Sequence, residues 1–524
     1  MSPKIVSVDE AVQLVKSGAS VTICASSGLL APDNILEALG RKFEQTAEPS
    51  DLTIVLPIAV GDGTIAGLEH LAHRGMLKRL IAGSYTLGGK KIYRMIADNE
   101  VEAYNLPQGV MMHLLRDIAA KKPGVITKVG LGSFVDPDYG GGKLNERTKE
   151  DLVRHLKLEG EDWLFYKTFP IDVAIIRATT ADEFGNLSME KEAAYLGVLH
   201  QALAAKNCGG IVIAQVERVA KGGSLPLHSV KVPGMLVDAI VVASDQEQCS
   251  FTKYDPSLSG EIRAPLQQII CPATETAAKK IIARRAIMEF SPGLRINIGF
   301  GTADIIPATV CEEGLDGLYT FLIEQGSIGG IPVPGPRFGV MWNPMAMLDS
   351  PTMFDLLDGG GFDLTCLASA QIDSEGSVTV HRLPGMIPGC GGFLNIIENV
   401  KRIIFCGTFT SGGLKAAAEN GTLKIIKEGS IKKFVKTMPA ATFNALRALK
   451  KQQEVLYVTE RAVFRLTAEG LELTEVAPGC DLERDILEQM EFSPIIRNPK
   501  RMDSRIFENA ANLKAMMADL KDGR

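Results

Sequence analysis

No pair of cysteines in this sequence follows the CxxC spacing, although the chain contains nine cysteines. Structural zinc sites are commonly built on such pairs. An odd number of scattered cysteines is typical of reduced thiols in a cytosol, where disulfides are rare. We therefore expect neither a metal site nor a disulfide framework, and we expect a cytoplasmic protein.

The chain also lacks an excess of positive charge. The chain has 56 Lys and Arg residues against 62 Asp and Glu residues, with a formal net charge of -6 and a pI near 5.8. This balance disfavours a surface that binds a phosphate backbone, so nucleic acid is not an expected partner. No run of 18 residues is free of charge, and residues 1–18 lack the apolar core of a signal peptide. A membrane partner is therefore not expected either.

The common hydrolase motifs are missing as well. Neither HExxH nor GxSxG occurs in the sequence. His70 and His73, three residues apart in LEHLAH, are better explained as residues of a helix face than as a metal pair. The sequence thus gives no support for a zinc hydrolase or a serine triad.

What the sequence does contain is a regular alternation of short β-branched runs with helical patterns. The runs include VAIIRA, GGIVIAQV, RINIGF and RIIFCGT. Such alternation is typical of parallel sheets flanked by helices. With 524 residues, 46% of them hydrophobic, the chain can form substantial cores. The predicted fold class is α/β, with open, mainly parallel sheets.

The alternation is interrupted between residues 245 and 278, where proline, serine and polar residues are frequent. This composition is typical of an interdomain connection. We therefore predict an N-terminal domain over residues 1–245, a linker over 246–278 and a C-terminal domain over 279–524. The last 70 residues, which include EVLYVTERAVF, predict a small β-rich addition to the second domain, followed by helices.

The two predicted domains share a weak internal repeat. DVAIIRATTADEFGNL, from Asp172, aligns without gaps with DLTCLASAQIDSEGSV, from Asp363. In this alignment Asp182 falls on Asp373 and Gly185 falls on Gly376. The shared order of strand, turn and strand predicts that the two domains have related folds.

FLIEQGSIGG, residues 321–330, places one carboxylate, that of Glu324, between a strand-like run and a glycine turn. In an open α/β sheet, ligands bind beyond the carboxyl ends of the strands, where this side chain is expected to lie. The three glycines that follow would let a ligand approach closely. A glutamate at this position could also cap the next turn or pair with a lysine. The local pattern alone leaves both roles open.

Two further segments contain glycine turns next to predicted helices, RINIGFGTADIIPATV and PGCGGFLNI. Free N–H groups at such turns can bind anions, although the third glycine of the dinucleotide fingerprint is missing. A third segment, NLPQGVMMHLLRDIAA, offers the amide of Gln108 as a neutral hydrogen-bond donor. Each feature could instead be a simple turn or cap. The glycines concerned are Gly299, Gly301, Gly389, Gly391 and Gly392.

The basic segment KKIIARRA, residues 279–286, predicts a helix. Its Lys280, Arg284 or Arg285 could bind phosphates, but we expect these side chains to form a solvated helix face.

Taken together, these segments resemble the family I coenzyme A-transferases, particularly the single-chain acetate or propionate enzymes. The ordered matches run through nearly the whole chain. They include YNLPQGVMMHLLRDIAAKKPGVITKVGLGSFVDPDYGGGKLNERTKED, IGFGTAD, EQGSIGG, GCGGF and YVTERAVF. In this family two related open α/β domains meet at the active site, which agrees with the repeat described above.

The resemblance implies roles for particular residues. The family's nucleophile is a glutamate in an ExGxxGG stretch, which here begins at Glu324. The resemblance also implies that Gln108 helps to bind the developing oxyanion. The glycine turns at 299–301 and 389–392 are implied to line the coenzyme A site.

The expected reaction is ping-pong transfer of coenzyme A from a short-chain acyl-CoA to a free carboxylic acid, through a glutamyl-CoA thioester on Glu324. Coenzyme A is then a substrate and covalent intermediate, and no permanently bound cofactor is expected. Residues 25–34 and 56–63 lack the GGF and paired-asparagine features of succinate-using relatives, which favours acetate and propionate. The family also implies a homo-oligomer, dimeric or tetrameric.

Two alternatives stay open. An acyl-CoA hydrolase on the same scaffold would use Glu324 towards water. A module that binds coenzyme A or another ligand without catalysis is possible on any such fold.

Overall fold

The computed structural model describes residues 3–23, 25–266, 277–383, 385–438, 440–508 and 512–521. Residues 267–276 of the predicted linker lie outside the described residues, as do Cys24 and Cys271. We call residues 3–245 the first half of the chain and residues 277–521 the second half. Each half is built on one large sheet.

The strands of the first half are β1 (Lys4–Val6), β2 (Ser20–Ile23), β3 (Leu52–Leu56), β4 (Leu77–Ala82), β5 (Glu102–Asn105), β6 (Gly124–Thr127), β7 (Val153–Leu158), β8 (Glu161–Lys167), β9 (Val173–Asp182), β10 (Leu187–Ser188), β11 (Ile211–Ala220), β12 (Val230–Val232) and β13 (Ala239–Val242). Eight of them form a parallel sheet in the order β1-β13-β11-β9-β2-β3-β4-β5. β10 and β12 join this sheet antiparallel, and β6, β8 and β7 form a separate antiparallel sheet.

The strands of the second half are β14 (Arg295–Ile298), β15 (Thr320–Leu322), β16 (Ser327–Ile328), β17 (Ile331–Pro332), β18 (Met341–Trp342), β19 (Ala346–Met347), β20 (Leu364–Ala368), β21 (Gln371–Ile372), β22 (Val378–Thr379), β23 (Arg402–Cys406), β24 (Thr410–Ser411), β25 (Lys415–Glu419), β26 (Thr422–Lys427), β27 (Ile431–Lys432), β28 (Glu454–Val458), β29 (Ala462–Thr467), β30 (Gly470–Val476) and β31 (Ile495–Arg501). The main sheet has the order β19-β16-β15-β14-β20-β23-β28-β29-β30-β31. Its strands β15, β14, β20, β23 and β28 are parallel. The predicted β-rich addition, β28 to β30, is an antiparallel continuation of this sheet.

The helices are α1 (Val8–Val12), α2 (Asp33–Thr46), α3 (Lys90–Ala97), α4 (Gln108–Ala119), α5 (Val198–Asn207), α6 (Pro256–Ser259), α7 (Ala277–Ile287), α8 (Ile306–Glu312), α9 (Ser350–Asp358), α10 (Phe393–Asn399), α11 (Ala445–Lys450), α12 (Leu482–Asp485) and α13 (Leu513–Lys521). Among the described residues, no helix is both long and apolar enough to cross a bilayer. All ten residues of β9 are buried, as expected for a parallel strand covered on both faces. The predicted α/β class is confirmed.

The internal repeat has a structural counterpart. The strand order β13-β11-β9-β2-β3 of the first sheet corresponds to β28-β23-β20-β14-β15 of the second. In each half the aligned aspartate, Asp182 or Asp373, accepts hydrogen bonds from the N–H groups two and four residues later, at 2.8 to 3.1 Å. The aligned glycines, Gly185 and Gly376, adopt φ values of 86° and 91°, which favour glycine. The same turn is therefore built from the same residues in both halves.

One expectation about the second half is wrong. Helix α7 forms where it is predicted, but Arg284 and Arg285 are buried instead of solvated. Both oxygens of Glu475 accept hydrogen bonds from Arg285, at 2.7 and 2.8 Å. Arg284 forms an ion pair with Glu313 at 3.2 Å. Buried guanidinium groups need such partners, so these arginines hold α7 in place.

Candidate active site

A cleft with about 350 Å³ of solvent space lies at the carboxyl ends of β14, β15 and β20, where the first half covers the second sheet. This is where ligands bind in open α/β sheets. The cleft is lined by all the residues for which the family resemblance implies a role in catalysis or in binding coenzyme A. They are Gln108, Gly299, Gly301, Glu324, Gly389, Gly391 and Gly392.

The turn between β15 and β16 presents the Glu324 side chain to the cleft. The N–H of Gly326 donates to the carbonyl of Ile323 at 3.0 Å, which closes the turn around Glu324 and Gln325. Gly326 adopts a φ of 122°, and a Cβ atom there would lie 2.1 Å from the carbonyl oxygen of Leu348. Only glycine fits this position, so the turn depends on the glycine pattern seen in the sequence.

The segment 388–392 connects the two halves beside Glu324. The N–H of Gly391 donates to the carbonyl of Gly83 at 2.8 Å, and the N–H of Gln108 donates back to the carbonyl of Gly391 at 2.9 Å. A Cβ atom at Gly392 would lie 3.4 Å from Cγ of Glu324. The segment therefore packs between the start of α4 and the glutamate, and it brings Gln108 and Glu324 into one site.

The carboxylate of Glu324 is poorly solvated. The residue is 9% exposed. Its Oε1 accepts a long hydrogen bond of 3.4 Å from Nε2 of Gln325, while its Oε2 is buried without a partner among the described residues. Burial raises the pKa of Glu324 to about 7, although its own backbone N–H and the bond from Gln325 act in the opposite direction. A carboxyl group with this pKa is a stronger nucleophile when ionised than a solvated one.

Gln108 is the second side chain with an unused polar atom in the cleft. It is 1% exposed at the first residue of α4, and its Nε2 has no partner among the described residues. An unpartnered buried donor and an unpartnered buried acceptor each cost free energy, and both are explained if a bound ligand satisfies them. The cleft thus offers one carboxylate and one neutral donor for chemistry.

Sequence reasoning missed two residues that hold this arrangement. Gln325 reaches across the halves, because its Nε2 lies within 3.3 Å of Oγ of Ser26. Asn105, at the end of β5, accepts a hydrogen bond from the N–H of Cys390 at 2.9 Å and donates to the carbonyl of Gly83 at 2.7 Å. The only sequence signal for them is proximity, since Gln325 follows Glu324 and Asn105 is the first residue of the NLPQG segment.

Apart from Glu324, the cleft is lined by uncharged side chains. Among the described residues that line it, there is no lysine, arginine, histidine or aspartate. A second anionic group on an acid bound here would therefore find no charged partner inside the cleft.

Three potential metal ligands lie elsewhere. Asp136, Asp138 and His155 have ligand atoms within 4.8 Å of one another. Nε2 of His155 lies 3.1 Å from Oδ1 of Asp136, which an ordinary His–Asp contact explains. None of the three lines the cleft, and we assign no metal to them.

Comparison with known proteins agrees with this geometry. Residues 5–243 match the family described as Coenzyme A transferase. The chain is 40% identical over 518 residues to the acetate CoA-transferase YdiF of Escherichia coli (strain K12), covering 97% of this chain and 96% of that protein. It is 41% identical over 515 residues to the caffeate CoA-transferase of Acetobacterium woodii, covering 96% and 97%.

The fold also superposes on a solved relative. The crystal structure of the acyl-CoA transferase YdiF from E. coli O157:H7, in a thioester complex with CoA, gives a TM-score of 0.92 at 39% identity and covers 98% of this chain and 97% of that one. Identity of this level over nearly the whole length shows membership of a family and not only a shared fold. The chain therefore belongs to the coenzyme A transferase family, as an enzyme that transfers coenzyme A between acyl-CoA and carboxylic acids.

Proposed function

We propose that this enzyme transfers coenzyme A between short-chain monocarboxylic acids by a ping-pong reaction in which Glu324 is the nucleophile. One observation carries the proposal. The buried, partnerless oxygen of Glu324 shares a cleft with the partnerless amide of Gln108, and no other charged side chain of the described residues lines that cleft.

In the first half-reaction, a carboxylate oxygen of Glu324 attacks the carbonyl carbon of the acyl-CoA thioester. The C–S bond breaks, and the products are an acyl-glutamyl anhydride and the thiolate of coenzyme A. The thiolate then attacks the carbonyl carbon of Glu324, the C–O bond breaks, and the first acid leaves as its carboxylate. Glu324 now carries coenzyme A as a thioester, and no proton has been gained or lost.

The second acid reverses these steps. Its carboxylate attacks the Glu324 thioester, and the released thiolate attacks the acyl carbonyl of the new anhydride. The new acyl-CoA forms and the Glu324 carboxylate is restored. Since the first acid leaves before the second reacts, the kinetics are ping-pong.

Gln108 has the role of an oxyanion donor in this scheme. Negative charge develops on the carbonyl oxygen in each tetrahedral intermediate, and a preorganised N–H donor stabilises it in a cleft with little water. The backbone N–H of Gln108 donates to the carbonyl of Gly391, which holds the start of α4 beside this segment, while the side-chain Nε2 keeps its hydrogen atoms for a ligand. The N–H groups of segment 389–392 are further candidates for coenzyme A contacts, together with the turn 299–301.

The uncharged lining favours monocarboxylic acids. A dicarboxylate such as succinate would place its second charge where no lysine or arginine of the described residues lines the cleft. Burying an unpaired carboxylate costs several kcal/mol, so such acids should react poorly. Small side chains of the first half, those of Ser26, Ser27 and Ala59, form part of the wall.

Exchange between acetyl-CoA and isotopically labelled acetate or propionate tests the function. Transfer gives labelled acyl-CoA without net release of thiol, whereas a hydrolase releases thiol and a binding module does neither. We expect exchange to exceed thiol release by a wide margin. Thiol release without exchange would refute the transferase and favour the hydrolase alternative.

We further propose domains over residues 1–245 and 279–524 joined by a linker over 246–278, a cytoplasmic homo-oligomer, and an enzyme with no permanently bound cofactor, for which coenzyme A is a substrate and covalent intermediate. Limited proteolysis should cut first within residues 246–278, and light scattering should give the mass of a dimer or tetramer.

A further inference from the structure

The first turn of α4 is capped by residues of the second half of the chain. The first N–H groups of a helix have no partner within the helix, and a side chain just before the helix often binds one of them. Here that position is Pro107, which makes no such hydrogen bond. Instead, the N–H of Gln108 donates to the carbonyl of Gly391 at 2.9 Å, and the N–H of Gly109 donates to Oδ1 of Asn395 at 3.0 Å. The second half therefore sets the direction of α4 at Gln108.

Asn395 is a fully buried residue of α10. Phe393 and Ile396 of the same helix line the cleft, whereas the side chain of Asn395 contacts α4 and α9. A Cβ atom placed on Gly109 would lie 2.4 Å from Nδ2 of Asn395. Only a glycine lets the amide approach the backbone of α4 this closely, so Gly109 and Asn395 fit each other.

A carboxyl group fixes the orientation of the Asn395 amide. Nδ2 of Asn395 donates to Oδ1 of Asp358, the last residue of α9, at 2.8 Å. Since the amide nitrogen faces this carboxyl group, the amide oxygen is left for the N–H of Gly109, and each end of the amide has the partner that its chemistry requires. Burial raises the pKa of Asp358 to about 7, although the hydrogen bond from Asn395 acts in the opposite direction. Asn395 thus joins α9, α10 and α4 in one arrangement.

The place of the Gln108 side chain depends on the backbone that carries it. Its Nε2 has no hydrogen-bond partner among the described residues, so no such bond from the protein holds the donor in position. The backbone at this point is held by the carbonyl of Gly391 and by the amide of Asn395. A displacement of a catalytic group by about 1 Å can cost about 100-fold in rate, so the two contacts matter for any role of Gln108.

We propose that Asn395 is a positioning residue for coenzyme A transfer: by binding the N–H of Gly109, it fixes the direction in which Gln108 presents its side-chain amide to the oxyanion. This inference rests on the proposed function. Asn395 touches neither substrate in this scheme and acts only through α4. Its loss should therefore weaken stabilisation of the tetrahedral intermediates while substrate binding changes little.

Two substitutions of Asn395 test the role of its oxygen atom in exchange between acetyl-CoA and labelled propionate. Asn395→Leu has a similar shape but removes both hydrogen bonds, so kcat should fall about 10- to 100-fold while KM for acetyl-CoA changes less than about threefold. Asn395→Asp keeps an acceptor for the N–H of Gly109. At pH 6, below the pKa of Asp358, the protonated Asp358 can donate to the introduced carboxylate, so this variant should keep kcat within about fivefold of the wild type.

A double-mutant cycle and a matched control separate positioning from a general effect on the fold. If Asn395 acts through Gln108, Asn395→Leu should lower kcat by less than about threefold in a Gln108→Ala background, because residues that act as a unit are not additive. Asn399→Leu changes an exposed asparagine of the same helix, whose Nδ2 donates to the carbonyl of Asp358 at 2.6 Å. This control should keep kcat and KM, and melting curves show that every variant is assayed in its folded state.

Several outcomes would overturn the assignment: an unchanged kcat or a change confined to KM in Asn395→Leu, a full further loss in the Gln108→Ala background, or an equal loss in Asn395→Asp at pH 6 or in Asn399→Leu. Asn395→Ala, with the same expected loss, replaces Asn395→Leu if the latter does not fold. Failure of the proposed function is distinct, since the wild-type protein would then show no exchange. Failure of Gln108 as oxyanion donor is distinct as well, since Gln108→Ala alone would then keep its kcat.

Discussion

Replacement of Glu324 by glutamine should stabilise the protein at neutral and alkaline pH while it abolishes transfer. Burial raises the pKa of Glu324 from 4.5 to about 7. In the unfolded chain this carboxyl group is ionised above pH 4.5, so at higher pH folding must either bind a proton or bury a charge. Its contribution to stability is therefore best at acid pH and becomes more unfavourable as pH rises to about 7.

The magnitude follows from the pKa values. Each pKa unit corresponds to 1.36 kcal/mol, so a rise from 4.5 to about 7 costs about 3 kcal/mol at pH 8. Glutamine has nearly the same shape as the protonated glutamic acid and carries no charge. We therefore expect Glu324→Gln to be about 3 kcal/mol more stable than the wild type at pH 8 but only about 1 kcal/mol more stable at pH 5.

Thermal unfolding at several pH values measures the effect. For a domain of some 250 residues, 1 kcal/mol corresponds to about 2 °C in Tm, so the difference at pH 8 should be about 6 °C. Glu488→Gln, at an exposed position, serves as the control and should show no such difference. The reasoning from burial would be refuted if the difference in Tm between Glu324→Gln and the wild type were no larger at pH 8 than at pH 5.

Three further predictions concern catalysis and assembly. Peptide mass mapping after incubation with acetyl-CoA alone should find coenzyme A on Glu324, and an adduct on another residue would contradict the assignment of Glu324 as the nucleophile. In the same role, Glu324→Asp should lose about 100-fold in kcat, since a shift of the carboxylate by about 1 Å can cost that much. Gln108→Ala should lower kcat by about 10²- to 10³-fold with little change in KM, measured with acetyl-CoA and propionate, and a pure KM effect would remove the oxyanion role. Gly389→Ala should lower both Tm and activity, because its Cβ would lie 2.8 Å from Nδ2 of Asn105 at a φ of 77°, and an unchanged melting curve would count against tight docking of this segment.

The strands and the place of Glu324 at the end of a strand could be predicted from the sequence because their signals are local, whereas its proposed role as nucleophile came from the family resemblance. β-branched runs specify β9 and β23 wherever they pack, and Glu324 is marked by the glycines that its turn requires. The shared turn at Asp182 and Asp373 is local as well, since each aspartate bonds to N–H groups within four residues.

Other features depend on residues that are distant in the chain. The sequence cannot indicate that Glu475 lies beside Arg285. The basic residues of α7 therefore predict a solvated helix face, whereas Arg285 is buried against its partner. The contact between Gln325 and Ser26 joins residues 299 positions apart. Contacts of this kind form only when the two halves pack together, so the sequence pattern within either half cannot predict them.

The hydrogen bonds between segment 388–392 and the first half affect how the activity should depend on the concentration of the enzyme. Glu324 and Gln108 come from different halves, so the site forms only while the halves are docked. Because both belong to one chain, docking is intramolecular, and the covalent connection sets an effective concentration that does not depend on the concentration of the enzyme. A few backbone hydrogen bonds can then keep the site assembled when the enzyme is diluted. The same hydrogen bonds between two separate subunits would break on dilution, because the subunits would dissociate.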